Sequence, residues 1–159
     1  MSVSTDEGAG YTGTEIASVV AARVQDSDVF ESVNMEVREG ARAVCCEARE
    51  SPSPIWYRAL FGTDGTIIEF ATEDRWLSQS IEADLVNTGD ALEDLLEEEL
   101  IDHDCEVRSP RFEHFRSDDM EYVFRVKLEN ASAQTVAAFL LSFEACFGEL
   151  GDVRESDDE

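Results

Sequence analysis

IWYRALFGTDGTIIEFAT, residues 55–72, carries the strongest local fold signal in the chain. Two runs rich in aromatic and β-branched residues flank Gly62, Thr63, Asp64 and Gly65, and an Asp-Gly pair suits a tight turn whose central positions need positive φ. The stretch therefore predicts a β-hairpin. With Asp64 and Gly65 as the turn, Phe61 faces Ile68, Ala59 faces Phe70 and Tyr57 faces Thr72; a four-residue loop shifts the partners but keeps the same residues on that face. This apolar face is the expected floor for the last helix. The opposite face carries Trp56, Arg58, Leu60, Ile67, Glu69 and Ala71, a mixture that fits partial exposure or partial cover.

Upstream, Thr12 and Glu15 have capping-box spacing, and Ile16, Val19, Val20 and Val24 form one stripe of a short helix ending near Gln25. Val33, Met35 and Val37 alternate as the inner face of a strand. A turn at Glu39 and Gly40 leads into a second strand over 41–50, setting Val44 beside Met35 and Cys46 beside Val33, with Cys46 inward and Cys45 outward. Ser51 to Pro54 breaks the ladder, because proline donates no backbone hydrogen bond.

Downstream, Leu77, Ile81 and Leu85 fit either a helical stripe or a strand, and a short helical turn is the favoured reading. Leu92, Leu95, Leu96 and Leu100 define a helix opened by Thr88 or Asp90. Residues 105–115 and 120–130 read as an antiparallel pair around a turn at 116–119, with Met120, Tyr122, Phe124, Val126 and Leu128 facing in. A helix from about Ser132 to Phe147 carries Val136, Phe139, Leu140, Phe143 and Phe147 on one stripe. Leu141, Ala137, Ala138 and Cys146 widen that stripe, so Leu141 and Cys146 are candidates for a second buried face or an interface. The expected fold is α+β: an antiparallel, hairpin-built sheet of about six strands with N-terminal, central and C-terminal helices on it. One domain is expected over 12–150, with disordered acidic tails at 1–11 and 151–159.

The chain of 159 residues has 37 acids against 12 bases, a formal charge of −25, and Lys127 is its single lysine. This composition resembles that of a salt-in haloarchaeal cytosolic protein, whose carboxylates hold water and ions and whose mutual repulsion is screened. Direct nucleic-acid binding is not expected, since no basic stripe exists to replace condensed counterions. No apolar run is long enough to span a bilayer, and the acidic N-terminus is unlike a secretory signal, so a cytoplasmic location is expected. Cys45, Cys46, Cys105 and Cys146 form no CxxC pair and are read as reduced thiols.

No recognised catalytic or cofactor frame appears. Asp102, His103, Asp104 and Cys105, with His114 further on, form the one metal-like cluster, but the spacing matches no zinc frame and His103 suits a helix C-terminus. By strand parity Cys45 is the best-exposed thiol. No metal, cofactor or catalytic residue is assigned. Trp56 and Arg58, both hot-spot types, make the mixed hairpin face with Leu60 and Ile67 a binding candidate.

The element order, helix, strands, helix, two strands, helix, resembles the small α+β fold of type III secretion chaperone-like proteins over roughly residues 13–150, with one strand too many. That resemblance implies a non-enzymatic protein-binding module, often dimeric, with another protein or a second copy as partner through the last helix or an open sheet edge. The alternatives are a small-ligand-binding or hydrolytic enzyme with a pocket between sheet and last helix, and an acidic DNA-mimic regulator.

Overall fold

The computed structural model describes residues 13–153, apart from positions 39, 50, 52, 64 and 152. Of the tails expected over 1–11 and 151–159, all of the first and residues 152 and 154–159 of the second lie outside the described residues. The chain forms α1 (Gly13–Asp26), β1 (Ser32–Arg38), β2 (Ala41–Glu47), β3 (Ile55–Gly62) and β4 (Gly65–Thr72), then α2 (Arg75–Thr88), α3 (Leu92–Asp102), β5 (Glu113–Arg116), β6 (Tyr122–Leu128) and α4 (Ala133–Gly148). The fold is α+β, with one six-stranded antiparallel sheet in the order β1-β2-β3-β4-β6-β5.

The opening hairpin is β3–β4, but its register differs from the Asp64–Gly65 turn by two residues. Gly62 pairs with Gly65, so Phe61 faces Thr66, Ala59 faces Ile68 and Tyr57 faces Phe70. Gly65 is spent on packing: its φ is 132°, and a Cβ there would strike the Leu128 carbonyl of β6. The two-residue shift preserves side-chain parity, and the apolar face stays where it was expected.

Residues from all of α1, α2, α3 and α4 join the inner face of the sheet in one core. Phe70 stacks on Phe147 of α4 with ring centroids 4.5 Å apart and meets Tyr57 and Phe124 edge-on. The ambiguous segment after Thr72 is a full helix, because Asp74 caps it by accepting from the amides of Trp76 and Leu77 and Gly89 closes it in the left-handed region. Packing continues past residue 150 into the stretch expected to be a tail: Val153 is buried, and the Gly151 amide donates to Asp84 at 2.9 Å.

Other expectations need correction. The strand drawn over 105–115 is reduced to β5, since Glu97 and Glu93 of α3 accept from the amides of Ser109 and Phe112 at 2.9 and 2.8 Å. Those amides are therefore bonded to a helix rather than to a neighbouring strand. Met120 is a turn residue, not an inward strand residue: its φ is 69°, and its amide donates to Ser117. α3 starts after Ala91, not at a Thr88 or Asp90 cap. Met35 and Val37 have inward parity but lie on an edge strand and are exposed.

Candidate functional site

Alternation along the strands gives the sheet a second face, turned away from the helical layer. Cys45, Arg58, Glu69, Arg125 and Glu113 lie side by side across β2, β3, β4, β6 and β5. Apolar rows flank this charged row: Ala43, Leu60 and Ile67 on one side, Trp56, Ala71 and Val123 on the other. Ala43, Cys45 and Leu60 are buried as a separate small cluster, with Trp56 and Ile67 half-buried against it.

The row is held by charge. Arg58, 3% exposed, donates through Nη1 to Glu69 Oε2 at 2.9 Å and grips Glu121 with both terminal nitrogens at 2.9 and 2.7 Å. Burial alone pulls the Arg58 guanidinium down, but the hydrogen bonds of Glu121 and Glu69 outweigh it and hold the cation firmly charged. The two carboxyls move in opposite directions. Burial pushes Glu69 up despite its single bond from Arg58, whereas the bidentate bond from Arg58 holds Glu121 below the usual range. Further along, Arg125 donates to Glu113 at 2.7 Å and lies 4.7 Å over the Phe115 ring.

Glu121 precedes β6, yet it also lies 3.9 Å from Arg38, the last residue of β1. Between β1 and β6 stand β2, β3 and β4, a separation of about 19 Å in a flat sheet. Twist and the folded-over turn at 117–121 bring these corners together, so this face is concave along one diagonal. A groove of about 490 Å³ follows, with Leu60, Ile67, Arg38, Arg125 and Glu121 in its wall. A second hollow of about 380 Å³ continues it past Leu60 and Ile67 to Lys127.

Trp56, Arg58, Leu60 and Ile67 thus share one face, as the hairpin parity implied. Leu141 lies elsewhere, half-buried in a groove of about 590 Å³ that also holds Arg23, His103, Asp104, Cys105 and Ala138. Cys146 is buried, and its thiol is pushed up to about 12 by burial with Glu99 and Glu98 adding to it; it offers no surface to a partner. Cys45 is not the exposed thiol that parity suggested: it is 1% exposed, and burial, with Glu36 adding to it, pushes it up to about 11.

His103 caps α3; its Nδ1 lies 2.8 Å from the Glu99 carbonyl and 3.2 Å from Ser142 Oγ. The carbonyl can only accept, so Nδ1 carries the proton. Among the described residues no group of three His, Cys, Asp or Glu side chains is placed to hold a metal.

His114 has a hydroxyl on one side and a carboxylate on the other, with Ser78 Oγ 3.3 Å from Nε2 and Glu82 Oε2 2.8 Å from Nδ1. This is the order of a nucleophilic relay. Ser78, however, is buried, none of the described grooves is lined by it, and the nearby amides of Trp76, Leu77 and Ser78 already donate to Asp74. The relay fastens α2 to the sheet, where His114 stacks on Phe124 at 3.7 Å. Burial holds His114 below its ordinary value although Glu82 opposes this.

No protein-family model, no curated protein and no solved structure matches the chain. No helix among the described residues is long and apolar enough to cross a membrane.

Proposed function

We propose that the protein is a non-enzymatic, chaperone-like protein-binding module of a high-salt cytosol, and that the helix-free sheet face is its working surface. One observation carries this reading. A concave groove with an apolar floor of Leu60 and Ile67 gathers Arg38, Arg58, Arg125 and Lys127 in a chain whose formal charge is −25. Acids and bases are interleaved there, while the chain as a whole is overwhelmingly acidic. A partner equally rich in carboxylates meets the least repulsive part of the surface at this place.

Affinity capture from a native extract in molar KCl, with the wild type, Ile67→Arg and Val86→Arg, tests the proposal. Val86 is exposed on α2, away from the groove. A partner retained by Val86→Arg and lost with Ile67→Arg supports the reading; equal retention by both variants refutes it.

A second reading, small-ligand binding, is favoured by the groove beside α4, which gathers His103, Cys105, Asp104 and Leu141. Cys105 is buried in its wall, so alkylation of that thiol slowed by cytosolic metabolites at millimolar concentration is the signature of this alternative.

A further inference from the structure

The two edges of the sheet are unlike. β5 is a four-residue strand of Glu113, His114, Phe115 and Arg116, and Arg125 ties down its Glu113 and covers its Phe115. Shortness and charge are the usual protection of an edge. β1 has neither. It runs for seven residues, Ser32–Arg38, in unbroken register with β2, without proline, lysine or bulge. Among the described residues its other side pairs with nothing. Met35 is 44% exposed and Val37 62% exposed on this edge.

The neighbouring helix covers Met35 only in part. Ser18 of α1 stands beside Met35, its hydroxyl 3.8 Å from the sulfur, and one turn on is the small, exposed Ala22. In so acidic a chain, an edge whose one acid, Glu36, is accompanied by Arg38 at 3.7 Å is a place where two copies can approach.

We propose that β1 pairs antiparallel with β1 of a second copy about a twofold axis through Met35, joining two six-stranded sheets into one. An axis perpendicular to the sheet sets inward residues opposite inward residues, so it passes through a residue pair. Centred on Met35, all seven residues find partners: Val33 opposite Val37, Asn34 opposite Glu36 and Ser32 opposite Arg38. No like charges meet. Centred on Glu36, two carboxylates face each other directly; centred on Asn34, Val37 and Arg38 are left over. The partner edge also covers Met35 and Val37, and the two helix-free grooves then lie on one continuous sheet surface. This inference is independent of the groove's role, since β1 can pair whether or not the groove binds anything.

Sedimentation equilibrium of the full chain in molar KCl, combined with single-cysteine crosslinking, tests it. The native thiols are all buried, and the chain without an added cysteine is the control for them. The expected results are twice the mass of one chain, rapid disulfide formation by Met35→Cys, little by Glu36→Cys, and self-association weakened about tenfold or more by Val37→Lys. Circular dichroism checks that Val37→Lys remains folded, as its exposure implies. A monomer at every concentration overturns the inference. So does a dimer that survives Val37→Lys unchanged, or one that crosslinks through Glu36→Cys rather than Met35→Cys.

Discussion

The same strands build two faces by different chemistry. On the helix side, Tyr57, Ile68, Phe70, Phe124 and Val126 interlock with Phe139, Phe143 and Phe147, and burial is satisfied by shape. On the other side, one residue over in β3 and β4, Arg58 and Glu69 meet Glu121 from the turn before β6, and burial is satisfied by charge pairing. A face committed to stability alone gains little from ions, because desolvation offsets most of their attraction. The second face thus carries a polar centre that adds little net stability to the fold.

Damage to each face in turn separates the two chemistries. Phe70→Ala, which leaves a void against Phe147, should lower unfolding free energy by about 3–5 kcal/mol in denaturant titrations run in molar KCl. Arg58→Met should cost about 3 kcal/mol at neutral pH, because it strands two carboxylates. The deficit should shrink as pH falls and both protonate. Replacing Arg58, Glu69 and Glu121 together by Met, Leu and Leu should restore most of the loss; failure to recover would mean that the triad stabilises by more than mutual neutralisation.

A smaller effect separates the two carboxylates. Glu121 is held below its unfolded value, so its contribution is present above the unfolded pKa and vanishes as pH falls through the folded one. Glu69 is held above its unfolded value, so its stability is greatest in acid and is lost as pH rises through the raised value. Glu121→Gln should therefore cost about 1–2 kcal/mol at pH 7 and Glu69→Gln less, with stability measured across the acidic range as the check.

Much of this was legible from residues 55–72 alone. Parity assigned Trp56, Arg58, Leu60 and Ile67 to one face and Tyr57, Ala59, Phe61, Ile68 and Phe70 to the other, and it survived a two-residue error in register because two is the period of a strand. What was hidden depends on distant partners. Glu121 meets Arg58 from 63 positions away, and no local pattern distinguishes it from the many other acids of the chain. Cys45 is buried in a small cluster with Ala43 and Leu60, against which Trp56 and Ile67 pack, and strand parity alone does not report that cover. The loss of strand over 105–112 turns on Glu93 and Glu97, which by sequence pattern belong to a solvated helix surface but accept from the backbone amides of Phe112 and Ser109.

The chain's two tryptophans give the most direct test of which face works. Trp56 lies half-buried on the helix-free face, and Trp76 lies exposed on α2. Each can be replaced by a photo-crosslinking phenylalanine analogue with little effect on stability, within about 1 kcal/mol. Irradiation in native cytosol at molar KCl should give a discrete protein adduct from position 56, abolished by Ile67→Arg, and only diffuse labelling from position 76. A discrete adduct from position 76 with none from position 56 would contradict the account.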